Sequence, residues 1–133
     1  MSIAVCSMAF SSCGSPAAND LSFLKNYDKQ YPADARLWEK QPFIDRLKQA
    51  VGDTVFASLQ SLRGTEVPIE VNGDEVIIAA CEQHNCSNSN ILIVVDLAAN
   101  TLAVGVRKEG AVTVYNAGQT ASPVLQKWQA TAE

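Results

Sequence analysis

The chain has 133 residues, of which 47% are apolar and 18% charged, and it carries a net charge of -4 at pH 7. This length suits one domain, and the composition is neither that of a disordered chain nor that of a membrane bundle. The 10 Lys and Arg residues are scattered along the sequence, so no basic cluster indicates nucleic-acid binding. No apolar run approaches the roughly 20 residues that a transmembrane helix needs.

Residues 1–18 are apolar at first and then rich in small side chains, with no charged residue before Asp20. This pattern is typical of the end of a secretory leader, and it predicts a single mature domain over residues 19–133 in the periplasm. A lipoprotein leader is the alternative, because the segment Phe-Ser-Ser-Cys that ends at Cys13 is similar to a loose lipobox. Cys13 would then carry a lipid anchor.

The first half of the predicted domain has apolar residues at helical spacing. Three helices are expected: one after Asp20 that ends near Pro32, one with Pro42 in its first turn, and one that follows Gly52 and stops at Gly64. Each should bury one stripe of side chains. The stripes are Leu21, Phe23, Leu24 and Tyr27; Phe43, Ile44, Leu47 and Val51; and Val55, Phe56, Leu59 and Leu62.

After Gly64 the apolar period changes to two, which predicts strands. Residues 67–71 form the first, with Pro68 indicating a sheet edge, and Asn72-Gly73 supplies a tight turn. Further strands are expected over residues 76–80, 91–97, 102–106 and 112–115, with turns at Ala99-Asn100 and Glu109-Gly110. About five strands in sequence order favour an antiparallel meander, and therefore an α+β domain with helices packed on the sheet.

Ser122-Pro123 is typical of a helix start, and the helix that follows would carry Leu125 and Trp128. We expect Trp38 and Trp128 to pack against the sheet or to cover its edge. A subunit contact in a homodimer is the alternative for either indole.

Two cysteines, Cys81 and Cys86, lie at the end of one predicted strand and just before the next. They enclose Glu82, Gln83, His84 and Asn85, and His84 is the only histidine of the chain. The polar residues 87–90 that follow predict an exposed segment. In an oxidising compartment the two cysteines would form a disulfide that holds the loop in one protruding shape.

Other chemistries remain open for the same residues. Cys81, His84 and Cys86 could bind zinc, but no fourth Cys or His is left once a leader is removed, so we predict no metal and no cofactor. A thiol nucleophile paired with His84 would need reduced cysteines and an orienting group. The sequence shows no phosphate-binding glycine loop, and we predict that the protein is not an enzyme.

The segment IEVNGDEVIIAACEQHNCSNSNILIVVD, residues 69–96, resembles the Ivy family of secreted bacterial inhibitors of animal (C-type) lysozyme. Ivy proteins carry a strand, a disulfide-closed loop of the form Cys-Lys-Pro-His-Asp-Cys, and a further strand. Cys81, His84 and Cys86 match that motif position for position. Glu82, Gln83 and Asn85 replace its lysine, proline and aspartate.

The resemblance implies that residues 81–86 form an inhibitory loop. This loop would enter the lysozyme cleft and place His84 against the two catalytic carboxyl groups, with C-type lysozyme as the protein partner. Lytic transglycosylases of the bacterium itself are the second class of target. A binding module that inhibits nothing is the third interpretation.

Overall fold

The computed structural model describes residues 19–116 and 122–131. The leader predicted over residues 1–18, with Cys13, lies outside the described part of the chain. No helix within residues 19–116 and 122–131 has the length and apolar character of a membrane span.

The centre of the fold is a six-stranded antiparallel sheet. Its strands are β1 (Thr65–Glu66), β2 (Glu70–Asn72), β3 (Glu75–Cys81), β4 (Asn90–Asp96), β5 (Thr101–Lys108) and β6 (Ala111–Tyr115). β1 and β2 follow one another along the outer edge of β3, while β4, β5 and β6 continue the sheet in sequence order. The predicted α+β fold with an antiparallel meander is confirmed, and the last four predicted strands lie within two residues of the observed bounds.

The predicted edge strand over residues 67–71 is wrong in its bounds, because the chain leaves the sheet edge at Pro68. Proline has no N–H to donate to the ladder. The backbone of Ile69 is hydrogen-bonded to residues 29 and 30 and not to β3. Its N–H donates to the carbonyl oxygen of Gln30 at 2.8 Å, and its own oxygen accepts from the N–H of Lys29 at 2.7 Å. The edge is therefore two short strands instead of one, which raises the strand count from five to six.

Tight turns join β2 to β3 and β5 to β6. The β2–β3 turn is Gly73-Asp74, one residue later than predicted, because Asn72 already pairs with β3. Gly73 has a φ of 64°, in the left-handed region that glycine adopts without strain. The β5–β6 turn is Glu109-Gly110, as predicted, and both residues have positive φ, 50° and 86°, as a type I′ hairpin requires.

Two helices pack on one face of the sheet. They are α1 (Phe43–Val51) and α2 (Asp53–Ser58), and a 3-10 turn over Leu59–Leu62 continues from α2. The predicted stripe of α1 is buried at all of its positions, with Phe43 fully inaccessible to solvent. Gly52 separates the two helices with a φ of 86°. The second and third predicted helices are thus confirmed in position, although the last turn of the third is 3-10.

The first predicted helix forms a short 3-10 helix over Ser22–Tyr27 and not an α-helix. The N-cap residue Leu21 gives no side-chain cap, although Asp20 Oδ1 accepts from the N–H of Ser22 at 2.8 Å. A segment this short gains little from α-helical hydrogen bonds. Tertiary contacts decide its shape instead, since Leu21 and Leu24 are both fully buried in the core. The N–H of Leu21 donates to the side-chain oxygen of Asn100 at 2.9 Å, in the β4–β5 turn.

The other face of the sheet is covered by α3 (Pro123–Ala130). Its N-cap Ser122 accepts hydrogen bonds from Val124 and Leu125 N–H, as the sequence predicts. β4 is consequently buried on both faces: Leu92 and Val94 face α3, while its alternate residues face α1.

Both tryptophans pack where they were expected. Trp128 lies on the sheet face over Gly105, so close that a Cβ added at Gly105 would meet the ring at 2.5 Å. Trp38 lies at the sheet edge, where its Nε1 donates to the Glu66 carboxylate of β1 at 2.7 Å. A subunit contact at either indole stays a prediction.

Candidate functional site

The connection from β3 to β4 contains a covalently closed loop, residues 81–86. Cys81 and Cys86 form a disulfide, with their Cα atoms 4.9 Å apart. The predicted disulfide is therefore present, and the two sulfurs are bonded to each other. Within residues 19–116 and 122–131, no group of three or more His, Cys, Asp and Glu side chains is arranged to hold a metal ion.

His84 lies at the tip of this loop. The N–H of Asn85 donates to the carbonyl oxygen of Glu82 at 2.9 Å, which closes a tight turn with Gln83 and His84 in the middle. Both central residues are exposed, and His84 has a φ of 66°. A positive φ at this place in a turn is unusual for a non-glycine residue, although histidine is among those that tolerate it. The imidazole thus stands on the solvent side of the loop.

The side chains on either side of the tip are directed into the loop. Asn85 Nδ2 donates to Glu82 Oε1 at 2.8 Å and lies 3.4 Å from Ser89 Oγ. Glu82 and Asn85 are half-buried, in contrast to the exposed tip between them. The charge that replaces the lysine of the family motif is therefore hydrogen-bonded within the loop.

Ser89 anchors the loop from behind. Its backbone oxygen accepts from Glu82 N–H and its N–H donates to the oxygen of Asn85, both at 2.9 Å. Its Oγ accepts from the N–H of Glu109 in the β5–β6 turn, at 3.1 Å. Only 2% of Ser89 is exposed, so the prediction of an exposed segment over residues 87–90 is wrong at this position. The neighbouring hairpin turn covers it.

Asn90 connects the loop to α3. Its Nδ2 donates to the carbonyl oxygen of Cys86 at 2.6 Å, and its Oδ1 accepts from Trp128 Nε1 at 2.9 Å. Sequence reasoning did not identify Ser89 or Asn90 as part of the site. An amide and a hydroxyl at the start of a buried strand were the only available signal, and they do not reveal a partner 38 positions away.

Gly64 also contributes to the shape of the loop. A Cβ at this position would lie 3.2 Å from the backbone nitrogen of Gln83 and 3.3 Å from its Cβ. The sequence indicated Gly64 only as a helix stop. The structure shows that the chain before β1 passes directly against the loop.

The Glu82–Asn85 contact leads to a testable expectation. Asn85→Asp should lower the free energy of unfolding by about 1 kcal/mol at neutral pH, because it replaces a hydrogen bond to a carboxylate by repulsion between two carboxylates. Glu82→Lys combined with Asn85→Asp restores an attractive pair, with the two residue types that the family motif has at these positions. The double variant should therefore be more stable than Asn85→Asp alone.

Urea unfolding of the wild type, both single variants and the double variant gives the coupling energy between the two positions. Additive effects would show that the two side chains do not interact in solution.

A family model described as inhibitor of vertebrate lysozyme (Ivy) matches residues 42–133. Searches of curated proteins and of solved structures gave no match. The matched region begins just before α1 and includes the whole sheet and the 81–86 loop. Since it covers more than half of the sequence, the chain belongs to the Ivy family, the inhibitors of vertebrate lysozyme.

Proposed function

We propose that this protein inhibits C-type lysozyme by inserting the 81–86 loop into the active-site cleft, with His84 contacting the catalytic carboxyl groups. Membership of the Ivy family supports lysozyme as the target. The observation that carries the mechanism is the position of His84, an exposed imidazole at the tip of a disulfide-closed loop. The protein acts by occupying the cleft and is not turned over.

The chemistry of the imidazole suits such a cleft. A retaining glycosidase holds a protonated carboxylic acid and a carboxylate about 5 Å apart. A neutral imidazole offers one donor and one acceptor, and a charged imidazole offers two donors. His84 can therefore hydrogen-bond to both groups at once and displace the sugar and the water that the reaction needs.

The loop is organised before it meets an enzyme. The disulfide closes it, the Glu82–Asn85 hydrogen bond crosses it, and Ser89 fixes its base from behind. Because these contacts already order the backbone, binding loses less conformational entropy than it would with a flexible segment. They also compensate for Gln83, which stands where the family motif has a stiffening proline.

The net charge of the chain also supports lysozyme as the partner. The chain carries a net charge of -4, and animal lysozymes are known for a basic rim around the cleft. Long-range attraction would accelerate association and would weaken as salt is added. The carboxylate of Glu82 keeps its charge, but its hydrogen bond to Asn85 turns it into the loop and not toward the exposed tip.

The periplasm is the proposed location. The apolar, small-residue segment 1–18 supports export, and the disulfide is stable in an oxidising compartment. Lipidation at Cys13 would place the same domain at a membrane surface. Intact-mass measurement of protein isolated from cells separates simple cleavage from lipidation.

The proposal is tested by following the lysis of bacterial cells by a C-type lysozyme while the purified protein is added. We expect activity to fall in proportion to added protein and to vanish near equimolar amounts when the enzyme concentration is well above the inhibition constant. Full lytic activity with the protein in excess would refute it. The same titration with a lytic transglycosylase tests the second target, and calorimetric binding without inhibition would indicate a binding module.

A further inference from the structure

A second site adjoins the loop on the face of the sheet that α3 covers. There a cavity of about 370 Å³ lies between the end of α3 and the sheet edge. Its apolar walls are the disulfide, Val67, Ala79 and the indole of Trp128, and Arg107 is the one cationic side chain among the described residues that line it. Cavities near this size accommodate small molecules.

Arg107 is the unusual member of this lining, because only 4% of it is exposed. Its guanidinium stacks on Trp128, with Cζ 4.4 Å from the ring centroid. Nη2 donates to the backbone oxygen of Trp128 at 2.8 Å, and Nη1 lies 3.4 Å from Asn90 Oδ1. Nε is buried and has no hydrogen-bond partner among the residues that the structure describes.

Within residues 19–116 and 122–131, no carboxylate forms an ion pair with this guanidinium. The ion pairs formed by the described residues are Lys25–Asp74 and Lys29–Asp28, and neither of them includes Arg107. Arginine stays charged at any physiological pH, and a buried charge without a counter-ion is costly. The guanidinium therefore lies beside apolar walls, and there it attracts an anion more strongly than it would in water.

We propose that this cavity binds a small amphipathic carboxylate. The carboxylate group pairs electrostatically with Arg107, and the apolar body of the ligand contacts Val67, Ala79 and the disulfide. An anion alone would leave these walls in water, and an apolar molecule alone would leave the guanidinium without a counter-ion. The site is separate from the tip that carries His84, and it does not depend on lysozyme inhibition.

Octanoate is a suitable probe, with octanol and octylammonium as matched neutral and cationic controls. NMR of the ¹⁵N-labelled protein gives one indole N–H signal for each tryptophan. The Trp128 signal should shift with saturation as octanoate is added. Trp38 serves as an internal reference, because its indole bonds to Glu66 and lines a different cavity. Octanol and octylammonium should each bind at least tenfold more weakly, a difference of about 1.4 kcal/mol.

Two variants test the role of charge. Arg107→Gln removes the cation and should weaken octanoate binding at least tenfold while leaving octanol binding unchanged. Val67→Asp places a carboxylate in the lining at a residue that is 49% exposed, so it tests the same electrostatics without altering a buried group. It should also weaken octanoate binding at least tenfold, and Val67→Asn, which is similar in size and neutral, should do so far less.

Equal affinity for the three probes would overturn the proposal, since it would show an apolar surface without charge selection. It would also be overturned if millimolar octanoate produced no saturable shift, or if only the Trp38 signal moved. Should Arg107→Gln fail to fold, unchanged octanoate binding by Val67→Asp would count against the proposal.

Discussion

Replacing His84 with alanine is expected to raise the inhibition constant for C-type lysozyme at least tenfold, which is about 1.4 kcal/mol of binding free energy. The imidazole is exposed at the loop tip, and in the proposed complex it is the group that hydrogen-bonds to both catalytic carboxyl groups. The free energy of unfolding should change little, because the described contacts that hold the loop do not use the His84 side chain. Inhibition constants from the lysis assay and urea unfolding measure the two effects separately.

Matched variants assign the loss to the imidazole. Gln83→Ala shortens the neighbouring exposed residue of the same turn and should change the constant less than about threefold. His84→Asn retains a residue that tolerates positive φ, so a loss of inhibition in both His84 variants excludes a backbone cause. Gln49→Ala alters an exposed position on α1 and should have no effect. An unchanged constant for His84→Ala would rule out the plug mechanism.

The second large effect is expected at Gly105, where alanine should lower the free energy of unfolding by about 1–3 kcal/mol. The added Cβ would lie 2.5 Å from Cζ3 and 2.9 Å from Cη2 of Trp128. The ring cannot easily withdraw, because it stacks on Arg107 and bonds to Asn90. Elsewhere in a strand, replacing glycine with alanine would be expected to stabilise the protein. A destabilising effect at this position would therefore indicate the clash with the Trp128 ring.

Chemical unfolding in urea measures this change. Trp128→Leu removes the indole ring that the added Cβ would meet, and it provides the control background, in which adding Gly105→Ala should cost much less than it does in the wild type. The difference between the two costs is the coupling energy of the pair. A neutral or stabilising effect of Gly105→Ala in the wild type would show that α3 is not held against the sheet as described.

The sheet was predictable from the sequence where local pattern and tertiary environment agree. Residues 91–95 are an unbroken apolar run, which is typical of a strand that is buried on both faces, and β4 lies between α1 and α3. The Glu109-Gly110 turn was predictable because a two-residue hairpin turn favours residues that accept positive φ. The disulfide followed from the two flanking cysteines and the expected compartment.

Long-range contacts account for what the sequence did not reveal. The edge strand is divided because Ile69 bonds to Gln30, and no pattern near Pro68 indicates that partner. Arg107 was counted among the scattered basic residues, because nothing near it in the sequence indicates a partner that would bury it. Its burial depends on Trp128, which arrives from a separate helix.

The candidate site was predicted only in part for the same reason. The sequence located the loop and its histidine, because both lie between the two cysteines. It did not reveal that Glu82 bonds to Asn85, or that Ser89 is covered by the hairpin turn that contains Glu109. Those orientations depend on how separate turns meet in space.

The break at Pro68 has a consequence for self-association. A continuous outer strand would offer other molecules a full row of unpaired backbone donors and acceptors, the usual template for fibril-like stacking. Here proline lacks a donor and the donor of Ile69 is already occupied by Gln30, so the row is interrupted at its middle. This side of the sheet therefore resists polymerisation by strand addition when the protein is concentrated.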